Sequence, residues 1–252
     1  MRKSDEPKWA EGLSKPPAWR SDGTETVFDS PWMALTRHPA TAPTGMKADY
    51  AVVRFKNVGT GVLPVHDDGT VTLVGQQRFA HANYSWEMPE GGAPLDEDPF
   101  DGIRRELAEE AGLQAEHWLP ALKVEMSNSI TDEIGMTWIA WGLSPAPTDP
   151  DPTEIIAVVR VPFLDLLDEI GRGTVRDSLT VATAYKAYHM AMNGELPEAL
   201  ARALLGRVLC RRRSRSWPSW KSSQNSKWTA CGVSCAPRPR RRRARSRNWA
   251  RR

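Results

Sequence analysis

Between residues 99 and 111 the apolar side chains recur at Phe100, Ile103, Leu107 and Ala111, the three-and-four spacing of a helix with one buried stripe. The ends of that stretch carry their own signals. Asp98 suits the N-cap, Pro99 the first helical position, and Asp101 puts an acid in the first turn, where the helix dipole favours it. Gly112 is a natural C-cap and Leu113 the apolar residue that often follows one. A helix is therefore predicted over 99–111. Elsewhere residues 50–55 form a β-rich run, and residues 31–35 start a short strand or turn. Residues 61–65 and 70–74 flank a hairpin-like turn at 66–69 that ends in Asp68-Gly69. Further strands are predicted over 123–126, 136–141 and 155–161, and helices over 163–170, 178–192 and 198–205. Strands interspersed with helices predict an α/β/α sandwich, and no internal repeat is apparent.

Charge changes the picture of the first helix. Glu106, Glu109 and Glu110 fall within five residues, and helical spacing sets Glu106 beside the other two, where like charges repel. At about 100° per residue they form an arc next to the apolar stripe, not opposite it, so they belong at the edge of the core. Carboxylates concentrated in this way suit a hard cation, Mg²⁺ or Mn²⁺, better than zinc. The preceding residues 89–94 read as a Gly- and Pro-rich loop whose backbone can approach a phosphate or metal closely. A solvated helix with a run of glutamates is the plain alternative. Gly91, Glu97, the Arg105-Glu106 pair and the terminal Gly112-Leu113, taken together, argue against it.

Composition divides the chain unequally. From Gly206 to Arg252 there are 16 Lys and Arg and no acid; removing those from the 34 of the whole chain leaves 18 bases against 31 acids, a net charge of −13 for residues 1–205. All three cysteines, Cys210, Cys231 and Cys235, lie in the basic tail, together with four of the 11 tryptophans. The acidic body thus has no disulfide framework and suits a reducing cytoplasm. No secretory signal and no membrane-length apolar run is expected. The tail has no periodicity and should be disordered; its abrupt change of composition reads as a frameshift or a non-functional extension more than as a nucleic-acid-binding segment. Cys231 and Cys235 lack the spacing of a zinc site. Three segments are expected: a mobile arm over 1–24, a domain over 25–205, and the basic tail over 206–252.

Gly91, five residues, Glu97, seven residues and then Arg105-Glu106-Leu107-Ala108-Glu109-Glu110-Ala111-Gly112-Leu113 resemble the Nudix box, G-x5-E-x7-R-E-U-x-E-E-x-G-U with U apolar, at every constrained position. The resemblance extends over roughly residues 27–204 and is closest to the ADP-ribose pyrophosphatase branch. Residues 74–79, with Gln76 and Arg78, and residues 84–92, with Trp86, Glu87 and Glu90, are similar to that branch's Gln-x-Arg strand and Trp-Glu-x-Pro segment. Residues 127–133 resemble its loop ending in Thr-Asp-Glu, although Asn128-Ser129-Ile130 replaces Pro-Gly-Phe.

The resemblance implies a Nudix-type α/β/α sandwich with a mixed sheet, and hydrolysis of the pyrophosphate bond of a nucleoside diphosphate linked to another moiety. ADP-ribose, giving AMP and ribose 5-phosphate, is the first expectation; nucleoside triphosphates or dinucleotides are the alternative. Mg²⁺, with Mn²⁺ as substitute, is the implied cofactor. Glu106 and Glu110 are its expected main ligands, with Glu109 in support, the Glu90 carbonyl completing the shell, and Glu97 reaching Arg105 or a second metal. Arg105 is expected to orient carboxylates, Glu133 to act as general base with Asp132 second, and Arg78, Glu87 and Trp86 to contact substrate. Guanidinium suits a diphosphate because it forks onto two oxygens. A homodimer with the N-terminal strands in its interface is also implied.

Overall fold

A computed structural model describes residues 7–148, 153 and 155–206. The basic tail beyond Gly206 lies outside the described residues. Among the described residues eleven strands form three sheets, with four α-helices.

The first sheet is wholly antiparallel. Strand β3 (Met33–Thr41) pairs along its length with β4 (Lys47–Phe55); its other edge takes β2 (Glu25–Asp29) and then β1 (Arg20–Ser21). Strand β1 therefore lies inside the segment expected as an arm. The second sheet is mixed, in the order β8 (Glu90–Pro94), β5 (Asn57–Pro64), β10 (Ile134–Pro145), β9 (Leu113–Glu125), with β5 and β10 parallel. The third sheet sets β6 (Thr70–Arg78) between β11 (Ala157–Pro162) and β7 (Asn83–Glu87), all antiparallel.

Helix α1 (Pro99–Ala111) forms where the spacing predicts it. The Asp98 carboxylate accepts the Phe100 N–H at 2.9 Å, and Gly112 takes the left-handed φ of 63° that lets its N–H reach the Ala108 carbonyl. Its stripe packs on one face of the mixed sheet, where Ile103 and Leu107 are fully buried with Val62, Trp138 and Ala140. Burial of each of those two side chains stabilises by about 1.5–3 kcal/mol. The alternate residues, Leu63, Val65 and Ile139, point to the opposite face. There they meet α2 (Phe163–Arg172), α3 (Ser178–Asn193) and α4 (Glu198–Leu205) around Phe163, Leu166, Ala187 and Leu204. Helices on both faces of a mixed sheet make the α/β/α sandwich that the pattern predicts.

Three local expectations change. Residues 89–94 are not a loop along their length: Glu90–Pro94 is strand β8, paired with β5 from Gly61↔Glu90 to Asn57↔Pro94. The turn at 66–69 forms, with Gly69 N–H on the His66 carbonyl at 2.9 Å, but the pairing beside it is the isolated bridge Val65↔Val71 just past the end of β5, and β5 and β6 belong to different sheets. Strand β9 starts at Leu113, directly after the α1 cap, and not near Lys123.

Candidate active site

The box acids are positioned by the turn of α1 against β8. Glu110 is 7% exposed, and its Oε2 accepts the Glu90 N–H at 2.9 Å. One helical turn earlier the Glu106 carboxylate lies against Gly91, so closely that a Cβ at Gly91 would run into it. Thr60 Oγ1 donates to the Gly91 carbonyl at 3.1 Å and fixes the same stretch of backbone from β5. Two carboxylates thus meet one backbone step, and only glycine leaves room there.

Arg105 gathers the other acids. Its Nη1 donates to Glu106 Oε1 at 3.0 Å and to Glu109 Oε2 at 3.1 Å, and Nη2 stands 3.6 Å from Glu97 Oε2. Burial opposes the guanidinium charge, but Glu106, Glu109 and Glu97 outweigh it and raise the pKa. One arginine therefore relieves the repulsion that helical spacing builds into this face.

A second cluster lies at the ends of β6 and β7. Arg78 Nε donates to both oxygens of Glu87 at 3.0 Å, Nη2 also bonds Glu87 Oε2, and Nη2 reaches Glu90 Oε1 at 3.0 Å. The Glu87 side chain is 3% exposed and that of Glu90 12%. The bond to Glu87 holds Arg78 charged against the cost of burial. Glu90 is pushed well above the usual carboxylate range, first by burial and then by Asp177 and Glu87, with Arg78 pulling the other way. A cavity of 760 Å³ opens here, lined by Arg78, Glu87, Glu90, Arg176 and Asp177.

The loop before β10 carries Glu133, whose carboxyl is raised by burial alone. Asp132, the preceding residue of the same loop, faces the first sheet instead: its carboxylate accepts the Phe55 N–H and an Arg54 Nη1 bond, each at 3.0 Å. Trp86 packs on the core and meets Tyr84 edge to face at 5.4 Å.

The donor set is all oxygen, as a hard divalent ion requires. Among the described residues no three His, Cys, Asp or Glu side chains stand as a ready ligand cluster. The acids nonetheless fit such an ion in kind and in pairs, Glu106 and Glu110 at the β8 backbone and Glu106 and Glu109 under Arg105.

A model of the NUDIX domain matches residues 55–179. This segment is a NUDIX domain.

Among its relatives is the ADP-ribose pyrophosphatase of Mycobacterium tuberculosis (strain ATCC 25618 / H37Rv), 29% identical over 121 residues, 48% of this chain and 58% of that one. The methanol dehydrogenase activator of Bacillus methanolicus is 26% identical over 160 residues, 63% of this chain and 86% of the other. The RNA pyrophosphohydrolase of Thioalkalivibrio sulfidiphilus (strain HL-EbGR7) is 54% identical over a short stretch of 33 residues, 19% of its length. The chain thus spans little more than half of the mycobacterial protein. A crystal structure of an ADP compounds hydrolase superposes with a TM-score of 0.65 at 18% identity, covering 73% of this chain and all of the other, which is a likeness of fold.

The matched NUDIX segment starts at the last residue of β4 and ends in the first turn of α3. It contains the box, Arg78 and Glu133, and also residues that sequence reasoning missed. Asp177 caps α3 by accepting the Thr180 N–H at 2.7 Å and belongs to the cavity of Arg78 and Glu90. Its only signal in the sequence was a cap position before the apolar residues of α3. The Glu90 side chain joins the Arg78 cluster, a role that no local sequence pattern signals. Among the described residues, no helix is long and apolar enough to cross a membrane.

Proposed function

We propose that this NUDIX domain hydrolyses the pyrophosphate bond of a nucleoside diphosphate linked to a second moiety, with ADP-ribose the first substrate to test. The observation that carries the reading is the convergence of Glu106 and Glu110 on the Glu90–Gly91 backbone. Glu106 and Glu110 would hold Mg²⁺, or Mn²⁺ in its place, with Glu109, Glu97 and the Glu90 carbonyl in support. Such an ion supplies neutralisation of the diphosphate and Lewis-acid activation of water.

Arg105 keeps Glu106 and Glu109 oriented toward that task. Glu133 takes the proton of the attacking water; its carboxyl, raised by burial, is a stronger base than an exposed glutamate. The new P–O bond forms as the bridging P–O bond breaks, and two phosphate monoesters leave, AMP and ribose 5-phosphate when the substrate is ADP-ribose. Arg78, with Glu87 behind it, binds the diphosphate. Trp86 supports that wall from the core.

The protein is proposed to act as a homodimer through its first sheet, where β2 is exposed along its length, with Val27 and Phe28 uncovered. The cysteine-free body supports work in the cytoplasm. Product analysis with Mg²⁺ across ADP-ribose, GDP-mannose, other sugar nucleotides and dNTPs tests the reading. Release of AMP and ribose 5-phosphate is expected, lost in Glu106→Gln and Glu110→Gln. Failure to cleave any of these compounds would refute it, and preferential cleavage of dNTPs would favour the triphosphate alternative.

A further inference from the structure

We infer that a second cavity, on the other side of Arg78, is the subsite for the nucleobase, with Gln76 as its hydrogen-bond donor. This rests on the proposed diphosphate reading. The cavity measures 550 Å³, within the range of ligand pockets, and is lined by Gln76, Arg78, Phe79, Tyr84, Ile155 and Ile156.

Three observations converge. Gln76 is 5% exposed on β6, yet its Nε2 has no hydrogen-bond partner. A buried amide donor without an acceptor is costly, so a ligand that supplies one has a built-in advantage. Around it the walls are apolar and aromatic: Phe79 and Ile155 are almost fully exposed, and Tyr84 is held by its edge-to-face contact with Trp86. Flat rings with acceptor atoms on their edge, as nucleobases have, match both features, since a base can stack on an aromatic face while a ring nitrogen or carbonyl accepts from Nε2. Finally, Arg78 lines this cavity and also the one that holds Glu87, Glu90 and Asp177. A diphosphate seated on Arg78 would send its base into the apolar cavity and its other half into the polar one.

The test is calorimetric titration of the full chain with AMP and, separately, with ribose 5-phosphate, using wild type, Gln76→Leu and Phe79→Ala, with hydrolysis of ADP-ribose measured in parallel. AMP binding should weaken about tenfold in each variant, the worth of one hydrogen bond or one stacked ring, while ribose 5-phosphate binds as before. Equal AMP binding by wild type and both variants overturns the subsite, and if ADP-ribose is still cleaved the proposed reaction stands without it. AMP binding that depends on Gln76 in a chain that cleaves no diphosphate supports the subsite and removes the reaction. Phe79 is solvent-exposed, so its variant tests the subsite even if Gln76→Leu does not fold.

Discussion

Replacing Arg78 by alanine separates its two roles, because the structure makes it a brace as well as a candidate substrate ligand. The substitution leaves Glu87, 3% exposed, and Glu90, 12% exposed, without their cation. Removing one partner of a fully buried pair costs about 3–5 kcal/mol. The Arg78 side chain is itself 36% exposed, so solvent screening reduces the expected loss to about 2 kcal/mol. For a domain of this size that is a fall in Tm of about 4–8 °C. Urea denaturation followed by tryptophan fluorescence measures it, with Trp86 next to Glu87 in the chain. Adding Glu87→Gln to Arg78→Ala should recover at least half of the loss, since a neutral amide needs no cation. A single variant within about 0.5 kcal/mol of wild type, the spread of ordinary surface substitutions, would refute the brace. So would a double variant less stable than the single one. Arg78→Lys tests the fork: it should preserve much of the stability and raise KM, because an ammonium cannot bond two oxygens of one phosphate side by side.

Other expectations follow from the same geometry. Gly91→Ala should lower turnover by about 100-fold, because the new Cβ displaces the Glu106 carboxylate, with far-UV circular dichroism unchanged; undiminished turnover would show that this close approach has no catalytic meaning. The acid limb of the kcat profile should lie above the usual glutamate range. A base whose pKa burial has raised stays protonated, and idle, to higher pH, and activity appears only as pH rises through that value. Glu133→Gln should abolish the limb and cost about 10²–10⁴-fold; a variant that retains the limb assigns it to another group. Truncation after Gly206, which caps α4, should leave hydrolysis and Tm intact, and a loss of either would make the basic tail part of the working protein.

What was legible in the sequence was what short-range physics decides. Helix α1 was readable to its ends because its stripe, its Asp98 cap and its Gly112 cap are all local. Helix α4 was readable from its apolar spacing at Leu200, Ala201, Leu204 and Leu205, without a side-chain N-cap. Strand β8 was not: Glu90-Gly91-Gly92-Ala93-Pro94 has neither alternation nor β-branched residues, and it is a strand because β5 offers it an edge 29 residues earlier, at Gly61↔Glu90. The hairpin misled because turn chemistry at 66–69 specifies a turn and not which neighbours the strands keep afterwards. At the site, the box acids and Arg105 share one loop–helix unit, and their spacing could be read directly. The Arg78 cluster depends on β6–β7 register and on Asp177 from the far end of the domain, a juxtaposition no local pattern encodes.

Two arginines divide the acids of this site between them, and their difference is informative. Arg105 sits on the helix and collects Glu97, Glu106 and Glu109, all of them partly exposed. Its bonds are to carboxylates that water also reaches, so a divalent ion can draw them away at small cost. Arg78 holds Glu87, which is only 3% exposed, by a fork of bonds that is costly to break, and reaches Glu90 as well. We propose that the helix side exchanges one cation for another while the sheet side stays as it is. A diphosphate needs both: adjustable acids where metal and water must move, and a fixed guanidinium against which the phosphates take their position. Arg105 offsets the charge of the helix face, and Glu110, whose carboxylate accepts the Glu90 N–H, is the acid we propose as the ion's first ligand on the sheet side.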